Sequence, residues 1–372
     1  MQINELLQVM GQYPWLIVTF ILILGVAFVN GWSDAPNAIS TCISTKTMRV
    51  TPALIMGGIM NFVGLMVMFF ISQSVAHTIQ SIISIGDSGT LNGLTLDQCT
   101  VVLKVISSAM LTVIVFGVIC SIFGIPSSET HALIGGLVGA ALGAIFLGKA
   151  DIRINTGFGF TDPLGKVVYG LLLSCIFGFC VGFGLCKLIE LICRKMNRNH
   201  TRPFFKWAQI LSGGALAFVH GAQDGMQFVG VSFLTVQIAA NLSGKTVGSD
   251  FFAATNLWYI GLACAIVIGV GTLCGGKKII KKVAMEMTHL EPYQAFATDL
   301  SSAVGIFIAT FFGFPISTGQ VKAFSIIGVG ATKGAKHIEW KTVLEMVVTW
   351  LITFPGCMVI GCLFSLIMMV IK

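Results

Sequence analysis

The chain has 372 residues, of which 55% are hydrophobic and 10% charged, with a formal net charge of +7 and a mean hydropathy of +0.92. A water-soluble domain carries about a quarter charged residues, so these proportions exclude a water-facing globule and leave the bilayer as solvent. The positive excess sits in loops, where it reports membrane orientation and not a nucleic-acid partner.

From the start, Met1 to Trp15 shows neither a basic n-region nor a small-residue cleavage site, so Leu16 to Val29 reads as a retained spanning segment. No Asp, Glu, Lys or Arg occurs between Arg49 and Asp87 or between Lys206 and Asp224, and a spanning helix needs roughly 20 apolar residues. Asn30, Asp34 and Asn37 follow one another at i, i+4, i+7, which places them on one stripe of a helix. An ionisable side chain in an apolar segment is costly and marks a functional candidate. Gly31 and Pro36 predict a broken helix here, with half-helix ends near the midplane. Carboxylate, amide and carbonyl oxygens together suit Na⁺, and a carboxylate alone suits H⁺. The plainer alternative is that the aspartate only caps a helix end. Asn61, within Thr51–Gln73, reads as a hydrogen bond between helices.

Next comes Pro126-Ser127-Ser128-Glu129-Thr130-His131, ahead of the glycine-rich apolar stretch Ala132–Phe146. Ser and Thr at a helix start cap it, and the free N–H groups and positive dipole end there suit an oxyanion. Ordinary capping of a hairpin tip is the alternative. Val167–Ile192 spans again and leads to Arg194, Lys195, Arg198, Arg202 and Lys206, the strongest cytoplasmic signal.

The earlier motifs then return. Phe28-Val29-Asn30-Gly31-Trp32-Ser33-Asp34 reappears as Phe218-Val219-His220-Gly221-Ala222-Gln223-Asp224, 190 residues on. His220, Asp224 and Gln227 keep the i, i+4, i+7 spacing, and Gly221 and Gly225 predict a second broken helix. Phe123-Gly124-Ile125-Pro126-Ser127-Ser128 reappears as Phe312-Gly313-Phe314-Pro315-Ile316-Ser317, 189 residues on. The second copy continues through Thr318-Gly319-Gln320 to an apolar run, Val321–Gly330. Two halves follow: 1–195 and 207–372, joined by a basic cytoplasmic linker at 196–206. Loop charges, including Lys277, Lys278, Lys281 and Lys282, give the halves opposite orientations, while Lys149 and Arg153 count against it. The expected fold is therefore an all-α polytopic membrane protein made of two inverted-topology repeats, with broken helices and paired hairpins.

Glu129 and Lys322 occur one in each hairpin and either pair with each other, or Lys322 faces the anion while Glu129 exchanges a proton. Asp299 and Lys104 lie in the arms before the two prolines and either support the hairpins or join the site. His131 and His220 are candidates for titration. The eleven cysteines show no C-x-x-C spacing and read as small packing residues. No G-x-x-x-x-G-K-[ST], metal-spaced cluster or G-x-S-x-G appears, so neither an ATP-driven pump nor an enzyme is expected.

Taken together, these motifs resemble those of the inorganic phosphate transporter family. Asn30 to Ala38 resembles its N-G-x-x-D-x-x-N pattern and Pro126 to His131 its P-[ST]-S-x-[ST]-H pattern, and all four motifs keep the family's order. The resemblance implies multi-pass placement in the cell membrane, often as homodimers, and phosphate import coupled to H⁺ or Na⁺ with no other cofactor. It implies Ser127, Ser128, Thr130, Ser317 and Thr318 as phosphate ligands. Asn30, Asp34, Asn37, Gln223 and Asp224 are implied as cation and gating residues. Two departures stand out: Gln223 where the family has Asn, which favours H⁺, and Gly319-Gln320 where a Thr and a His are usual. A sulfate or other oxyanion permease and, in another class, a passive anion channel are the rival expectations.

Overall fold

The structure is a computed structural model that describes residues 1–85, 93–149, 152–155, 157–245, 247, 249–275 and 289–371. The cluster Lys277, Lys278, Lys281 and Lys282 lies outside the described residues. In chain order the helices are α1 (Ile3–Gln12), α2 (Pro14–Ser33), α3 (Pro36–Ser44), α4 (Val50–Ile71) and α5 (Ser74–Gln80). They continue as α6 (Leu96–Phe123), α7 (Glu129–Phe146), α8 (Pro163–Cys193) and α9 (Arg198–Leu242). The last are α10 (Ala254–Cys274), α11 (Pro292–Phe311), α12 (Thr318–Ala331) and α13 (Trp340–Val370). Among the described residues, nine helical segments are long and apolar enough to cross a membrane. The protein is a multi-pass helical membrane protein. Beside the helices, the described residues include a small antiparallel ribbon, β1 (Ile83–Ile85) with β2 (Ile152–Ile154).

Both hairpins are built the same way. Each first arm ends in a glycine with left-handed backbone, Gly124 at φ 67° and Gly313 at φ 74°, a conformation that costs a Cβ-bearing residue 1–2 kcal/mol or so. The amides of Ile125 and Phe314 reach back to the carbonyls of Cys120 and Ala309, and those of Gly124 and Gly313 to Ser121 and Thr310. This is a Schellman ending. Residues 125–128 and 314–317, neither helix nor strand, follow, and then Ser128 and Ser317, extended in backbone, cap α7 and α12 by accepting the amides of His131 and Gln320. The repeated sequence thus makes a repeated local structure. The packing is exchanged as well: α13 lies along α7, and α8 along α12.

The second broken helix is not found. The first break is real, because α2 stops at Ser33 and Pro36 opens α3; a proline has no N–H to continue the ladder. By contrast, α9 runs unbroken through Gly221 and Gly225. Its glycines serve close packing, since a side chain at Gly221 would run into the Asn61 backbone of α4 and one at Gly225 into Leu65. Residues 198–206, expected as linker, form the first turns of α9. Gly221→Val should therefore destabilise by about 1–3 kcal/mol through overpacking, read as a lowered melting point in detergent. Gly184→Ala on α8, with open space around it, should be neutral or slightly stabilising.

Candidate functional site

The break between α2 and α3 leaves Asp34 in a single non-continuing turn, its amide bonded to Asn30 O at 2.8 Å and its carbonyl accepting Asn37 N–H at 2.9 Å. Asn37 Nδ2 donates to Asp34 Oδ1 at 2.7 Å, and Asn30 Nδ2 donates to Asp224 Oδ2 at 3.0 Å. So the two aspartates, one per half, stand side by side in the interior. Each is buried, with 4% and 2% exposure.

His220 completes the group. Asn61 spends its Nδ2 on Gly57 O and Thr272 Oγ1, so its Oδ1 must accept the proton of His220 Nδ1, 2.9 Å away. The other ring nitrogen, Nε2, then faces Asp224 Oδ2 at 3.3 Å and Asp34 Oδ2 at 3.9 Å. One ligand atom each from Asp34, His220 and Asp224 fits within 4.8 Å of the others. Asn30 Oδ1, Asn37 Oδ1 and His220 Nε2 are buried without a hydrogen-bond partner among the described residues. Buried polar atoms are nearly always satisfied, and here the orphans gather round two carboxylates. The set fits a monovalent cation or a proton.

Both hairpin tips close on this group. Thr318 Oγ1 lies 3.4 Å from Asp34 Oδ2 and 3.4 Å from Asp224 Oδ2. Thr130 Oγ1 donates across the tips to Ile316 O at 3.0 Å and accepts from Gln227 Nε2 at 3.0 Å. The N-termini of α7 and α12 thus converge, each bringing first-turn N–H groups without an intrahelical partner. Between the first tip and the helix break, Ser33, Asp34, Asn37, Pro126, Ser127 and Glu129 line a cavity of about 10 Å³, room for one water but not for a tetrahedral oxyanion. The tips are closed.

Of the residues expected from sequence, Asn30, Asp34, Asn37 and Asp224 meet in one cluster, and Thr130 and Thr318 stand at its edge. Ser128 and Ser317 are buried caps at the same tips, and Ser127 lines the cavity. Gln223 faces elsewhere: its Nε2 donates to Phe314 O at 3.0 Å, and its Oε1 accepts from Thr310 at 2.5 Å. It straps α9 to the second hairpin.

The expected Glu129–Lys322 pair does not form. Lys322 is paired instead with Asp299, with Thr41 Oγ1 3.1 Å from its ammonium and 2.7 Å from Asp299 Oδ1. Glu129 Oε1 lies 2.8 Å from Ser33 Oγ. Lys104 anchors the far end of the first hairpin, with Nζ 2.5 Å from Ile371 O and 5.2 Å above the Trp15 ring. His131 is buried within α7, its Nδ1 without a hydrogen-bond partner among the described residues. Three contributors went unnoticed in the sequence: Ser33, Thr41 and Thr310. Hydroxyls this common in membrane helices give no signal of their own, although Ser33 lies within the first motif and Thr41 just after it.

Nine helical segments among the described residues long and apolar enough to span, a discontinuous helix and two hairpin tips round buried carboxylates define a membrane-carrier architecture. Residues 30–361 match the profile of the family described as "Phosphate transporter family"; the chain belongs to it. It is 34% identical over 93% of its length to the "Probable low-affinity inorganic phosphate transporter" of Bacillus subtilis, covering 96% of that protein. With the protein of the same name from Rhizobium meliloti it shares 29% identity over 94% of its length, covering 96% of that protein. A solved structure titled "The sodium-dependent phosphate transporter" superposes with a TM-score of 0.80, covering 96% of this chain and all of that one at 20% identity. That likeness establishes the fold.

Proposed function

We propose that the chain imports inorganic phosphate across the cell membrane in symport with H⁺ or Na⁺, by alternating access between inverted halves. The observation that carries this is the convergence of two capped helix N-termini on the Asp34–His220–Asp224 cluster. Helix N-termini attract an anion, but here they do so beside carboxylates. Two like charges about 4 Å apart repel by about 4 kcal/mol at an effective dielectric of 20. Phosphate can settle at the tips only if cations or protons neutralise the aspartates, and that requirement is coupling. A passive anion channel lined this way would repel its own ion. The names of the related proteins support phosphate over sulfate, and the sodium-dependent relative supports Na⁺ as one candidate ion. The exchanged packing of α8 and α13 supports the inverted halves.

Uptake of labelled phosphate into proteoliposomes, with Na⁺ and pH gradients imposed separately, tests the reading. Accumulation should follow one of the two gradients. Ser128→Ala and Thr318→Ala should each raise the apparent KM about three- to tenfold, the worth of one hydrogen bond. Uptake that needs neither gradient, or a KM indifferent to both substitutions, would remove the proposal.

A further inference from the structure

Glu129 has no counterpart in the second half, where the residue after the capping serine is Thr318. It is 4% exposed and lines the small cavity with Ser127, Pro126, Asp34 and Asn37. Its Oε1 is walled in, 2.8 Å from Ser33 Oγ and close enough to Gly117 of α6 that a methyl there would stand 3.0 Å away. Its Oε2 is buried with no hydrogen-bond partner among the described residues. An orphaned carboxylate oxygen at the tip that receives the anion is costly, unless the cargo satisfies it.

We propose that Glu129 selects among tetrahedral oxyanions by presenting Oε2 as an acceptor that only a proton-bearing anion can meet. The argument rests on the phosphate-site reading above and deepens it. Ser33 Oγ also lies 2.7 Å from Val29 O, so its single proton has two acceptors. The selective state is the one in which Oε2 carries no proton: Glu129 ionised with Ser33 donating to its Oε1, or Glu129 protonated on Oε1 toward Ser33. In that state Oε2 offers lone pairs alone. Phosphate and arsenate retain a P–OH or As–OH at neutral pH and can donate to it. Sulfate and selenate have no proton, and their oxygens would abut an unprotonated oxygen. Discrimination arises from a group that the wrong ligand cannot satisfy, while the rest of the tip supplies donors that suit all four anions. Thr318 on the opposite tip offers a hydroxyl, which makes no such distinction.

The test is competition against labelled phosphate uptake. In the wild-type protein, arsenate should compete and excess sulfate or selenate should not. Glu129→Gln can turn its amide N–H toward the anion, and Glu129→Thr copies the second tip. In both, sulfate should inhibit at a concentration at least tenfold lower than in wild type, the worth of a charged group left unpaired or rescued. Glu129→Asp should keep sulfate out. Sulfate or selenate competing as well as arsenate in the wild type would overturn the proposal without any variant. So would Gln and Thr variants that carry phosphate and still exclude sulfate. Failure of the underlying site looks different: Ser128→Ala and Thr318→Ala would then leave phosphate uptake untouched.

Discussion

Asp34→Asn and Asp224→Asn should each abolish phosphate accumulation while leaving the protein folded. Asparagine keeps nearly the same volume, and its Oδ1 can still accept the bonds that Asn37 and Asn30 donate at 2.7 and 3.0 Å. What disappears is the charge. A cation held between two carboxylates and the free nitrogen of His220 loses half of its neutralising partners. Charge-assisted contacts of this kind are worth about 1.5–3 kcal/mol each, so cation affinity should fall by one to two orders of magnitude and concentrative uptake with it. Gradient-driven uptake and melting temperature, measured on the same preparation, separate loss of coupling from loss of fold. If both variants accumulate phosphate as the wild type does, the cluster is not the coupling site.

The second large effect is on stability. Lys322 and Asp299 are paired at 1% and 0% exposure, tying the two arms of the second hairpin to each other and, through Thr41, to α3. Breaking a buried pair by removing one partner costs about 3–5 kcal/mol, because the survivor is left charged and unsolvated. Replacing both with apolar residues of similar volume is often neutral. Lys322→Met alone should therefore lower the melting point sharply, and Lys322→Met with Asp299→Leu should recover most of it. A single variant as stable as wild type would show that the pair contributes little. Phosphate uptake by the double variant would assign the pair to scaffolding.

Much of this arrangement was legible because polar chemistry in a lipid-facing chain leaves marks. Aspartates inside apolar runs, and Gly-x-Pro-x-Ser tips repeated at nearly constant spacing, have few explanations there. What resisted reading was context. Glycine permits both a bend and a close helix contact, and only Pro36 told the first motif from its unbroken copy in α9. The partner of Lys322 was missed because a hairpin invites pairing between tips. In the structure, Asp299 lies about 18 Å down α11 from Phe311, at 1.5 Å per residue. Residues 314–317, neither helix nor strand, and the first turn of α12 bring Lys322 back to Asp299. An intra-hairpin pair follows from a connecting segment whose direction no local pattern reveals. Gln223 pointed away from the aspartates for a rotational reason: adjacent residues on a helix face directions about 100° apart.

The unbroken α9 has one more consequence. Gln223 and Gln227 sit one turn apart on it, and each is bonded to a different tip, Gln223 to Phe314 O and Gln227 to Thr130. Lifting either tip strands one amide on the same rigid rod, at a similar penalty of about 1–3 kcal/mol. Under the alternating access proposed above, matched latches of this kind would keep the two tips near balance, since an imbalance of only about 1.4 kcal/mol would favour one side tenfold. A modest cargo would then tip it either way.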